Sequence, residues 1–203
     1  MEPKGITASI GIEQKSTVPK QSLVENHSYV ILSRTITVEY KTRTTGVTTH
    51  TVVVKALASY VTRYDGRYQV RDRSELKVKT PHKGLTYGEV IHGLKQFHID
   101  YEHPLLMNET TTIIMEVNWE HHQQADYPEA SMIIACPTDV LKFLVQPPHN
   151  EHIIKAEGIV RLNHAAHDHI SIEDIPIVGN NLLWDKYQPV ISLYYQIKWK
   201  WPH

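Results

Sequence analysis

The sequence predicts a β-rich domain, mainly an antiparallel sheet or sandwich with one or two α-helices, of the α+β class. Three observations carry this. Apolar and polar side chains alternate with period two near both ends of the chain, at Val30–Lys41 and Ile191–Trp201. Prolines and histidine-rich polar stretches cut the middle into runs of strand length. Only two segments, Thr51–Tyr64 and Thr86–His98, carry apolar residues at the three-and-four spacing of a helix.

Residues 1–26 mix Lys, Glu, Gln, Ser and Pro19 without periodicity, and read as a flexible arm ahead of one globular domain over 27–203. Val30, Leu32, Ile36, Val38 and Tyr40 then share one parity, against Ser33, Thr35, Thr37, Glu39 and Lys41 on the other, which makes a strand. Arg34 interrupts its apolar face, so that end is expected near a sheet edge. The run TRTTG at 42–46 supplies a turn. Over Thr51–Tyr64 the TVVV run favours a strand on propensity. The spacing of Val53, Leu57, Tyr60, Val61 and Tyr64, with Asp65-Gly66 as a stop, favours a helix, and a helix is the expectation.

Arg67–Lys79 reads as one strand. Arg67, Arg71, Arg73, Lys77 and Lys79 all fall on odd positions, so one face would display five cations along roughly 40 Å at ~3.3 Å per residue. Thr86–His98 carries a capping box, Thr86 with Glu89, ahead of an apolar stripe at Val90, Ile91, Leu94 and Phe97. Gly88 and Gly93 weaken that helix. Strands follow at Thr110–Trp119, Ser131–Cys136, Val140–Val145 and Ile153–Leu162. At the carboxyl end Ile191, Leu193, Tyr195, Ile197, Trp199 and Trp201 alternate with polar neighbours, which places this strand in the core.

The chain has 203 residues with 41% hydrophobic and 21% charged side chains, a globular composition. It has no apolar run near the ~18–20 residues that span a bilayer. The amino terminus lacks the apolar core of a signal peptide. The single cysteine excludes an internal disulfide framework and a thiolate-rich zinc site. A cytoplasmic or otherwise intracellular protein, not secreted and without a transmembrane segment, is the expectation.

The net charge of -1 hides a division. Residues 1–83 carry 14 Lys and Arg against 7 Asp and Glu, whereas 84–185 carry 4 against 15, and three lysines follow. Ten of the 14 histidines lie in the acidic segment. Such asymmetry speaks of partners: another copy of the chain, RNA or an anionic membrane surface. The competing reading is that strand pairing mixes the two segments in space. The anion- or nucleic-acid-binding candidates are Arg63, Arg67, Arg71, Arg73, Lys77, Lys79 and Lys83, interleaved with Tyr60, Tyr64 and Tyr68.

Catalytic constellations are scarce. Neither GxSxG, a Walker loop, a dinucleotide fingerprint nor HExxH occurs. Cys136 follows the apolar run MIIA and reads as a buried, inert thiol. The densest histidine group is His164, His167 and His169, which suits zinc or another transition metal on a β-barrel of cupin type. The favoured expectation is a non-enzymatic binding or assembly protein, with no catalytic residue and no cofactor, of the viral structural, matrix or movement type. The alternative is a His-ligated metal enzyme.

Overall fold

The computed structural model describes residues 27–69, 75–80, 82, 84–91, 94–120, 128–163 and 168–202. The arm expected at 1–26 lies outside these. Fourteen strands form three sheets among the described residues: β1 (Tyr29–Tyr40), β2 (Thr45–Ala56), β3 (Val61–Gln69), β4 (Glu75–Lys79), β5 (Gly84–Ile91), β6 (Leu94–Leu105), β7 (Thr110–Glu120), β8 (Glu129–Ile133), β9 (Thr138–Gln146), β10 (Lys155–Arg161), β11 (His169–Asp174), β12 (Ile177–Val178), β13 (Asn181–Tyr187) and β14 (Tyr194–Lys200). The long sheet runs β12-β13-β9-β1-β2-β7-β4; one small sheet runs β11-β10-β14-β8 and the other β3-β6-β5. Pairing is antiparallel except between β1 and β9.

The expected strands at both ends are present, and TRTTG forms the bend between β1 and β2. Both expected helices are strands instead, and no helix occurs among the described residues. Thr51–Tyr64 is the end of β2, a turn through Tyr60 at φ 64°, and the start of β3. A register shift between Val61 and Arg63 then puts buried Val61 and Tyr64 three residues apart, a spacing that imitates a helix. Thr86–His98 falls on β5 and β6, whose closing pair Ile91↔Leu94 is also three apart in sequence. Hairpin closure and a helical turn share that spacing.

The Arg67–Lys79 strand divides as well. β3 ends at Gln69 in a small sheet, and β4 starts at Glu75 on the edge of the long one. Arg34 sits near no edge, because β1 is the middle strand of seven.

One face of the long sheet carries the core. At one end Ile36, Val38, Phe143, Val145, Leu182 and Trp184 pack against Ala156, Val160, Tyr195, Ile197 and Trp199 of the four-stranded sheet. At the other end Ile31, Val52, Val54, Ile113 and Met115 pack against Tyr64, Phe97, Ile99 and Tyr101 of the three-stranded sheet. Each end has a glycine where an aromatic ring needs the space of a side chain: Gly66 lies under Phe97, its cross-strand partner, and Gly158 under the Trp184 indole. β14, between β10 and β8, buries Tyr195, Ile197 and Trp199 inward as the alternation predicts.

Candidate binding site

The cations expected to form one stripe are distributed over two sheets. Arg63 and Arg67 stand exposed on β3, where Arg63 lies 3.4 Å from Asp65 and His98 Nδ1 is 2.5 Å from the same carboxylate. Lys77 and Lys79 belong to β4, and Lys79 pairs with Glu116 of β7. Arg71, Arg73 and Lys83 lie outside the described residues. Ion pairs also join segments of opposite charge: Arg43 Nη2 meets Glu151 Oε2 at 2.6 Å, and the tail lysines Lys186 and Lys198 meet Glu173 and Glu129 at 2.5 and 3.8 Å. Glu151 is held below the usual carboxylate range by its hydrogen bond from Arg43. At these pairs the segments of opposite charge meet in space.

Of the histidine group, His169 opens β11, where it is exposed opposite Arg161. His164 and His167 lie outside the described residues. Among the described residues no three His, Cys, Asp or Glu side chains gather in a way that could hold a metal ion. Cys136 is buried, and burial raises its thiol above the ordinary value.

Two features went unmarked in the sequence. The first is the edge formed by residues 168–190. All six residues of β11 are exposed, including Ile170 and Ile172 at 53% each. β11 is the outermost strand of its sheet, and nearby Val178 and Leu183 are also exposed at the β12–β13 edge of the long sheet. Edge strands are commonly protected by lysine or proline, and β11 contains neither. A register shift at Val160/Arg161 leaves Ile170 as the extra residue of a bulge. The run Ile170-Ser171-Ile172 thus presents an uncharged edge between His169 and the acidic pair Glu173-Asp174.

The second is the seam where the two small sheets meet over the centre of the long one. Arg34 lies there on the core face, in register with fully buried Val52 and Leu141. Its guanidinium reaches both small sheets, Nη2 donating to Tyr64 Oη at 2.9 Å and Nη1 to Met132 Sδ at 3.1 Å. His50, on the next strand and the adjoining row, has its pKa lowered to about 4 by burial and by the charge of Arg34. Its legibility was lost with β2, because a helix over 51–64 hides that His50 continues the inward parity of Val52, Val54 and Ala56.

No protein-family model matches the chain, and no curated protein sequence does. Among solved structures, the fold is similar to a presumptive protease of Parabacteroides distasonis, with TM-score 0.51 and 9% identity over 86% of this chain and 41% of that one. An M1 zinc metallopeptidase of Deinococcus radiodurans aligns at TM-score 0.46 and 8% identity, over 84% of this chain and 42% of that one. The class defined is a β-rich unit of one long sheet with two small sheets packed on it. The chain spans less than half the length of either of these proteins, and at such identities the likeness is one of fold.

Proposed function

We propose that this is a non-catalytic binding and assembly domain whose contact surface is the edge strand β11. The observation that carries the reading is an outermost strand with every residue exposed and two isoleucines uncovered. Unpaired edge groups are a template for a further strand, and exposed apolar residues gathered in one place mark interaction surfaces.

The occupant is a second copy of this chain. A strand with His169 at its start and Asp174 at its end, beside Glu173 already held by Lys186, is complementary to itself when reversed, as a two-fold axis requires. Antiparallel pairing of β11 with β11 sets His169 toward the Glu173-Asp174 end of the partner and the isoleucines toward one another. Cross-strand contacts of this kind are worth roughly 0.2–1 kcal/mol each, so the dimer is expected to be of modest affinity.

Sedimentation velocity of the full chain over a range of concentrations tests this. The expected result is a concentration-dependent dimer that Ile170→Lys with Ile172→Lys weakens at least tenfold while circular dichroism stays unchanged. A chain that is monomeric throughout, or a dimer indifferent to the two lysines, overturns the reading. The same run with RNA or anionic liposomes addresses the competing proposal for Arg63, Arg67, Arg71, Arg73, Lys77, Lys79 and Lys83. Binding there that weakens with salt and with Arg71→Glu, Arg73→Glu and Lys77→Glu would transfer the function to those cations. A stoichiometric transition metal in the purified protein, lost on replacing His164, His167 and His169 by Gln, would promote the metal-enzyme reading.

A further inference from the structure

Arg34 presents a problem of charge. A guanidinium is ionised at every ordinary pH, and it sits half-buried on the core face of the central strand between residues that are fully buried. Its protein partners are a phenol and a thioether, both neutral. Asp65, whose charge acts on Tyr64, is engaged with His98 and Arg63 on β3. Buried charges are ordinarily paired, because taking one out of water unpaired is costly. Arg34 uses two of its five donors on these partners, and its Nε–H has no acceptor although it is sealed from solvent.

The surroundings supply further donors. Tyr64 accepts from Arg34 and keeps its own proton, since burial raises the phenol above its ordinary value. Its O–H is therefore available to donate. His50 is neutral at pH 7 and offers one ring N–H. Among the described residues its ring has no hydrogen-bond partner, and the residue is only part-buried. Around these groups stand apolar surfaces, Met132 on β8 and Met115 beside His50 on β7.

We propose that the seam between the two small sheets binds a monocarboxylate with an apolar body, its carboxylate held by Arg34, Tyr64 and His50. The single charge follows from the electrostatics. One guanidinium with a neutral imidazole balances one negative charge, whereas a phosphate dianion would leave a second charge uncompensated in a half-dry site. The carboxylate's planar pair of oxygens matches the guanidinium fork. Met115 beside His50 and the methylene arm of Met132 supply apolar surface next to these donors, as small-molecule sites commonly do. The carboxylate could come from a free organic acid or from the carboxyl terminus of a peptide.

Hexanoate and benzoate titrated into the full chain test the proposal, with hexanol as the neutral control and inorganic phosphate as the dianion. Binding is followed by calorimetry and by the Arg34 Nε–H resonance in nuclear magnetic resonance spectra. Saturable binding of the acids, absent for hexanol and weaker for phosphate, is expected, with a shift of the Arg34 resonance. Tyr64→Phe keeps the ring and removes one donor, and should weaken binding about tenfold or more; Arg34→Met should abolish it. A short apolar peptide with a free carboxyl terminus, compared with its amide, separates the two ligand sources: binding of the free form alone assigns peptide termini, and binding of hexanoate without either peptide assigns free acids. Absence of saturable binding by both acids, or equal binding by Tyr64→Phe, overturns the site even if Arg34→Met fails to fold. Phosphate binding tighter than hexanoate overturns the assignment of a single charge.

Discussion

The two ends of the long sheet bury their core face in different ways. Under the four-stranded sheet the packing is aromatic. Tyr40 alone meets Trp119, Trp199 and Trp201 edge-on, at centroid distances of 4.9, 5.8 and 5.3 Å, an arrangement that adds to simple area burial. The registers β9–β13, β10–β14 and β8–β14 run without a shift. Under the three-stranded sheet the packing is more aliphatic, and β1–β2, β3–β6 and β5–β6 each contain a register shift. The difference teaches how regularity and legibility go together. The shifts in β3–β6 and β5–β6 write spacings of three into the sequence. The shift at Ile31/Ser33 leaves period two intact over Ile36–Tyr40, and the four-stranded sheet has its own shift at Val160/Arg161.

The largest effect expected from this comparison is on the regular end. Removing residues 191–203 deletes β14, the strand between β10 and β8, with three tryptophan or tyrosine side chains of the core. Cooperative unfolding should disappear, as read by denaturant titration, since each large side chain contributes roughly 1.5–3 kcal/mol against a total stability of ~5–15 kcal/mol. A truncated chain with the melting transition of the whole would show that the aromatic end is dispensable.

Next come single truncations, one at each end. Trp199→Ala and Phe97→Ala both remove a ring that is at most 1% exposed, and each should cost about 3–5 kcal/mol. Because both clusters grow from β1 and share one sheet, each variant should shift a single unfolding transition seen by every probe. Two transitions, only one moved by each variant, would divide the molecule at Arg34 and break the expectation of one domain over 27–203.

A smaller effect separates the seam from both ends. His50 has its pKa lowered from 6.5 to about 4. The unfolded chain therefore binds a proton more readily than the folded one, so this contribution is full above pH ~6.5 and is lost as pH falls toward 4. The residue is only part-buried by exposure, which scales the expected loss to on the order of 1–2 kcal/mol. Glu151 and Glu173, whose carboxylates are also held low, lose stability through the acid range, so the comparison with His50→Gln isolates the histidine. The Gln variant should show a flatter profile between pH 6.5 and 4; an unchanged slope would remove His50 from the account.

The sequence made the two alternating ends legible because the core-facing positions are uniformly apolar, Ile36, Val38 and Tyr40 on β1 and Tyr195, Ile197 and Trp199 on β14, although β14 also buries Tyr194 and Gln196. It concealed β3, β5 and β6. A bulge displaces Val61 from Tyr64, and the hairpin pair Ile91↔Leu94 reproduces the step of a helical turn. Arg34 misled for a related reason: a charge on an apolar face suggests an edge, and the packing that reaches it from Tyr64 and Met132 comes from distant strands. The cations at 67–79 looked continuous because parity cannot reveal that a run changes sheets. β11 went unread because its alternation, Ile170-Ser171-Ile172-Glu173, is only four residues long and follows a histidine-rich polar stretch.

Amide hydrogen exchange measured across protein concentration reads that strand directly. If two copies pair through β11, amides within His169–Asp174 that point away from β10 should gain protection as concentration rises, and Ile170→Lys with Ile172→Lys should abolish the gain. β13, at the exposed edge of the long sheet, should keep constant exchange and serves as the internal reference. Protection of β11 that is the same at low and high concentration would contradict assembly through this edge.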